Sequence, residues 1–439
     1  MSWRQTLGNA LRHRLYSLCD YPAMAVRIGS SRVGCEMEDR ASAVGRRVRY
    51  WRQRRNLDRK QLADMVGRST SWLDKIEKGE RSLLRLPMLE RVAEVLSIDP
   101  SVLTDSEVAR STAQCADVVE VQAIKKALGR YPTLIAHKND MASVTMRQVD
   151  RQLDYAGHAW LSSHFTTVAR VLPQLLDDAQ LSAAADAHQK TYRALVMAYR
   201  LACSMLLKYD SNDIAWLAAD RAMYTAQLSG DTIALARATR CVARAMSHTD
   251  QLDASVTVAT DMADLLRPRL SHDDRDAVPL YGMLLLSAEI TAARQGNGAL
   301  AQSLHEEASA AASRIGSAHH GHHTFFGVPN VEVHRVSALV RLYEGGRAVR
   351  HAERIDPTLI AGLPTERRSN FLLDLTDAHI QTGDHRMAIQ LLTEADHLAP
   401  EEVRCRPLAR RLITALLSTA PGGADPRLRH IARRAGVTA

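Results

Sequence analysis

Between Asp58 and Arg81 the chain reads DRKQLADMVGRSTSWLDKIEKGER, and few backbone paths satisfy that string. Asp58 stands where a helix begins. Its carboxylate can accept a backbone N–H three residues on, where Gln61 can reach back to the cap: a capping-box pattern. Leu62, Met65 and Val66 recur at helical spacing until Gly67, which tolerates the left-handed conformation that ends a helix. Ser69 is a second N-cap, and Leu73 and Ile76 give the next helix one apolar edge. The other face of that helix carries Thr70, Ser71, Asp74, Lys75 and Lys78. The local prediction is helix, tight turn, helix.

The same texture extends from Val44 to Leu103, which reads as five short helices. Leu57, Leu62, Ala63, Leu73, Ile76, Leu89, Val92, Ala93 and Leu96 are the expected core, and small Ala63 lets two helices approach closely. Charge singles out the same region. Residues 1–104 hold 20 Lys+Arg against 12 Asp+Glu, so the whole net charge of +8 lies there and the rest of the chain balances. A basic head on a neutral body suits a polyanion partner.

The run L-x-x-x-x-L-A-x-x-x-G (Leu57, Leu62, Ala63, Gly67), the run I-E-x-G (Ile76, Glu77, Gly79) and the late pair Leu89 and Ala93 resemble the lambda-repressor-like helix-turn-helix domain of the Cro and XRE regulators. Arg59 stands where that family often has glutamine, and RSLLRLP replaces its usual short Pro-containing turn. The resemblance implies double-stranded operator DNA as partner. In that geometry the start of the second helix meets base edges in the major groove. Thr70, Ser71, Asp74 and Lys75 then face the bases, with Lys75 able to reach guanine acceptors. By family position Arg59 lies against the backbone or a flanking base. Arg46, Arg47, Lys78, Arg81 and Arg85 are phosphate contacts, which position without reading. Trp72 is expected to pack on the core.

MEDRASAVGRRVRYW, from Met37, looks like a natural start for such a domain. Residues 1–36 lack clear periodicity, so they are expected to be disordered, or upstream sequence from a mis-assigned start. The head is placed at 37–106, a helical body at 107–420 and a tail at 421–439. The body is alanine-rich with little strand signal, which favours packed helical hairpins and calls for a search for repeats. Gly383, Ala388, Ala395 and Pro400 follow one another at offsets of five, seven and five. Gly296, Ala301 and Ala308 repeat the first two offsets, as do Asp210, Ala215 and Ala222. These resemble the close-packing positions of tetratricopeptide repeats (TPR), implying an α-superhelix. LLKYDSNDIAWLAADRAM, FFGVPNVEVHRVSALV and APEEVRCRPLARRL are similar to actinobacterial regulators that join an XRE head to such a body. The expected class is therefore all-α: a five-helix lambda-repressor-like head followed by a TPR-like superhelix.

Other chemistries find less support. No apolar run is long enough to span a membrane, and six cysteines without C-x-x-C suggest reduced thiols in a cytoplasm. His319, His320, His322 and His323 are dense enough to suggest metal, but Gly321 breaks any helical face and no spaced ligand pair completes a set. A polar loop is the better reading, with no metal or cofactor expected. G-x-x-x-x-G-K-[ST], H-E-x-x-H and G-x-S-x-G are missing, so no enzymatic activity is expected. A concave apolar wall for a small-molecule or peptide effector is placed at Phe326, Asn330 and His334, joined by Trp160, His164, Trp216, Asp220 and Tyr224. The competing reading of Phe326 and Asn330 is a buried connector, with Asn330 as an N-cap. The favoured function is a homodimeric transcription regulator with a sensing body. The alternatives are an interaction scaffold anchored to DNA and a metal-dependent enzyme.

Overall fold

The computed structural model describes residues 32–55, 57–83, 86–104, 118–131, 144–272, 276–315 and 324–437. The expectation for residues 1–36 lies outside them, except that a helix already begins at Arg32. Among the described residues the chain is all-helical, with no β-strand, and it divides into two compact units, Met1–Ala113 and Gln114–Ala439.

In the first unit, helix α1 (Arg32–Arg54) packs on α3 (Thr70–Glu77) and α5 (Pro100–Thr104). Helix α2 (Arg59–Val66) packs on α3 and α4 (Leu86–Val95). Val48, Trp51, Leu62, Ala63, Leu73, Ile76, Val92, Ala93 and Leu96 share one core. Burying each of the larger side chains contributes about 1.5–3 kcal/mol. The expected capping box is present: Gln61 N–H donates to Asp58 Oδ1 at 2.8 Å and Gln61 Oε1 accepts from Asp58 N–H at 2.8 Å. Gly67 ends α2 at φ 73°, and Ser69 caps α3 through Trp72 N–H.

The second unit is built from six helical hairpins. Their first helices are α7 (Met146–Leu161), α9 (Gln189–Lys208), α11 (Thr232–His248), α13 (Ala277–Arg294), α15 (Val328–Arg341) and α18 (Thr365–Gln381). Their second helices are α8 (Phe165–Ala185), α10 (Asn212–Ser229), α12 (Leu252–Leu266), α14 (Gly298–Ile315), α16 (Gly345–Ala352) and α19 (His385–Leu398). Helix α6 (Val118–Leu128) packs on α8, and α17 (Pro357–Ala361) precedes α18.

A single device turns every hairpin. A residue in the left-handed region follows each first helix: Ser163, Asp210, Asp250, Gly296, Tyr343 and Gly383. In five of the six the next N–H bonds back to the carbonyl five residues earlier, as in Ser211 to Leu206 at 2.9 Å and Asn297 to Ala292 at 2.9 Å; the others are His164, Gln251 and Glu344. Five residues past the left-handed residue a buried side chain seats the second helix on the first: Val168, Ala215, Ser255, Ala301, Ala348 and Ala388. The offsets read from sequence are this device, at three of its six occurrences.

Each first helix packs on the next, and α18 returns to α7, so the inner layer closes into a ring. The closure is polar as well as apolar. Buried Lys208 Nζ pairs with Glu366 Oε1 at 3.2 Å and with Glu402, and lies 4.2 Å from the Phe165 ring centroid and 5.0 Å from that of Trp160. Against the cost of burial, Arg367 and Lys208 hold the Glu366 carboxyl well below the usual carboxylate range.

The described residues 421–437 are no loose tail: α20 (Pro400–Cys405), α21 (Pro407–Leu417) and α22 (Ala420–Ala424) lead into α23 (Pro426–Ala435), whose Leu428, Ile431, Ala432 and Ala435 are buried against α19, α20 and α21, because every third or fourth position is apolar. Cys203 and Cys241 are free and buried. No described helix is long and apolar enough to cross a membrane.

Candidate nucleic-acid interface

Helix α3 is held by its apolar edge and by one buried ion cluster. Glu77 accepts from Arg52 Nε at 2.6 Å and Nη2 at 3.1 Å, and from Arg59 Nε at 3.0 Å. Arg52 also donates to the Leu57 carbonyl at 2.8 Å, which ties the α1–α2 connection to the end of α3. Both Arg52 and Glu77 are buried, so the pair fixes the orientation of α3 from beneath.

With that edge anchored, Thr70, Ser71 and Lys75 are exposed together at the start and middle of α3. Asp74 lies among them, half-buried, with its charge committed: Lys78 Nζ is 2.7 Å away and Arg59 Nη1 3.5 Å away. The Lys78 hydrogen bond holds the Asp74 carboxyl below its ordinary value. The exposed face therefore offers two hydroxyls and a lysine beside a neutralised acid, a donor-rich surface suited to base edges and phosphates.

An open concavity of about 550 Å³ adjoins the start of α3, lined by Asp64, Gly67, Arg68, Ser69, Trp72 and Arg81. Arg68 and Arg81 are exposed on it. Arg68 is absent from the sequence-derived set, although its place directly after the helix-ending glycine marks the turn that faces the same way as Thr70. Trp72 packs half-buried on the core while forming one wall of the concavity.

The remaining basic residues divide. Arg46 is exposed, but Arg47 is half-buried and donates to the Leu103 carbonyl at 2.7 Å, so it ties α1 to α5. Arg59 is bound to Glu77 and Asp74 instead of standing free toward a backbone or base. Arg85 lies outside the described residues, as does the histidine cluster at 319–323.

The effector residues are not brought together. Phe326 and Asn330 are fully buried, at 0 % exposure each, as the connector reading has it. The Phe326 ring fills the space over Gly282, where an added Cβ meets it at 1.9 Å. Asn330 donates to Met283 Sδ at 3.3 Å and is no N-cap, since Gly327 holds that position. Trp160 stacks edge-on against Phe165, 5.2 Å between centroids, in the ring closure. His164 is exposed at the α7–α8 turn. On α10, a second helix, Trp216 packs into the core while Asp220 and Tyr224 are exposed. His334 differs: half-buried on α15, its Nδ1–H donates to the Asn330 carbonyl at 2.7 Å. Burial first, then Arg367, pushes it down to about 3, so the ring is neutral and Nε2 is an acceptor.

Residues 43–105 match a family model described as a helix-turn-helix domain, and with the geometry above this makes the first unit a helix-turn-helix DNA-binding head. Comparisons with curated proteins and with solved structures found no match.

Proposed function

We propose that the protein is a sequence-specific transcription regulator of the Cro and XRE kind, whose TPR-like body makes a homodimer and senses a small molecule or peptide. The observation that carries the reading is the exposed trio Thr70, Ser71 and Lys75 on a helix start fixed from below by Glu77. Such a helix delivers its first residues to base edges while Arg46, Arg68 and Arg81 meet phosphates. One head spans few base pairs, so useful affinity calls for two heads on half-sites about 34 Å apart. The large ring is the natural seat of both the dimer contact and the sensor, and all of the net charge lies in the head.

Selection of duplexes from a random pool by the full-length chain, followed by native mass measurement of the complex, tests this. The expected product is a two-fold symmetric site carrying two chains. A single unrepeated half-site bound by one chain rejects the dimer, and recovery of unselected sequence rejects the regulator.

A further inference from the structure

The inner face of the ring carries a cluster of cations that nothing in the head requires. Arg200 is on α9, Arg240 and Arg244 on α11 and Arg367 on α18, all half-buried, so each keeps some contact with solvent. Helices α11 and α18 are not neighbours in the ring: α9 and α7 separate them one way, α13 and α15 the other. Yet the helices meet through side-chain contacts: Arg244 Nη1 reaches Ser204 Oγ at 2.9 Å, with Arg240 and Arg200 each one helical turn earlier on α11 and α9, and the Lys208–Glu366 pair brings Arg367 to α9 from α18.

Among the described residues no carboxylate pairs with Arg200, Arg240 or Arg244. The strongest charged neighbours of Arg200 and Arg240 are one another, Arg244, Arg367 and the thiols of Cys203 and Cys241, with no carboxylate among them. Arg244 donates to a hydroxyl, Ser204 Oγ, at 2.9 Å. The Nε atoms of Arg200 and Arg240 are buried with no hydrogen-bond partner among the described residues. Arg367 is 3.4 Å from Glu366, but that carboxylate also serves Lys208. Burial, then Arg244 and Arg367, depress the Arg240 guanidinium to about 9, so it stays charged at neutral pH. Cys241 feels the same field: a hydrogen bond with Cys203, then Arg200, Arg244 and Arg240, hold its thiol below the ordinary range.

Like charges held together without partners oppose folding, and such an arrangement is a candidate binding site. A compact ligand with two or more negative charges relieves the repulsion, and guanidinium forks match tetrahedral phosphate oxygens. We propose that the inner face of the ring binds a small phosphate-bearing anion through Arg200, Arg240, Arg244 and Arg367. The site deepens the sensor reading and rests on it only for its regulatory consequence.

The test titrates full-length protein with inorganic pyrophosphate by calorimetry, with citrate in parallel. Wild type is expected to bind pyrophosphate saturably, one per chain, and to melt higher when loaded. Arg240→Gln and Arg200→Gln each lose tenfold or more in affinity while melting, unliganded, at or above the wild-type temperature. The head variant Arg81→Ala binds pyrophosphate normally. Absence of saturable binding, loss in Arg81→Ala but not in Arg240→Gln, or tighter binding of citrate overturns the assignment. An unliganded Arg240→Gln that melts lower, or fails to fold, marks a structural cation and overturns it too. Binding that leaves the affinity for selected DNA unchanged supports the site and rejects the sensor reading.

Discussion

Glu77 shows how one side chain can fix an exposed helix face from beneath. Its carboxylate meets Arg52 beneath the helix and Arg59 at the rim, and both of its oxygens are used. Removing one member of a buried pair strands the other in a low dielectric, which costs about 3–5 kcal/mol, whereas replacing both with apolar groups is often neutral. Glu77→Gln is therefore expected to lower the stability of the head by about that much, and Arg52→Met with Glu77→Leu to recover most of it. Hydrogen exchange of the backbone amides of α1 and α3 reports the head, and a loss below about 1 kcal/mol in Glu77→Gln contradicts the reading. At this scale the sequence is most legible where chemistry is local. Asp58, Gln61, Gly67 and Ser69 each act on backbone within three residues, and each is where the string predicts. Arg47 and Arg59 were harder to place because their partners, Leu103 and Glu77, lie 56 and 18 residues away.

Among helices, the hairpin device explains what was legible and what was not. Gly296 and Gly383 announce a left-handed residue, and Asp210 is a tolerable substitute. Ser163 and Tyr343 adopt the same conformation without advertising it, and Asp250 is followed five residues on by Ser255 instead of an alanine. The three hairpins they turn were therefore unreadable by offset alone. The packing of α20 on the start of α8 was hidden as well, since Glu401 accepts from Thr166 N–H at 2.8 Å and Oγ1 at 3.1 Å across 235 residues. This contact has a pH signature. Burial, against those hydrogen bonds, raises the Glu401 carboxyl to about 7 from its ordinary 4.5. A raised acid favours the folded state in full below its unfolded value and loses that contribution as pH rises through 7. The lost amount is on the order of 3 kcal/mol. Melting profiles of wild type and Glu401→Gln between pH 5 and 8 should diverge, with the wild type losing more stability as pH rises. Parallel profiles contradict the assignment.

For the whole molecule, the distribution of charge along the chain is enough to separate the two units, since the excess lies in the head and the rest balances. The ring closure did not show in the sequence. It depends on Lys208 meeting Glu366 of α18 and Glu402 of α20, and no local pattern encodes that. For the same reason Phe326 and Asn330 looked like a wall: a phenylalanine aimed at Gly282 is apparent only once α13 and α15 are side by side. The central claim, that α3 reads base sequence, is tested most directly by the affinity of the full-length chain for its selected duplex and for scrambled duplexes at physiological salt. The account predicts a preference of about a thousandfold or more. It also predicts that Lys75→Ala costs about 1–3 kcal/mol on the selected duplex alone, by relaxing discrimination at one base pair. Equal affinity for every duplex, or a Lys75→Ala variant weakened equally on all of them, contradicts it.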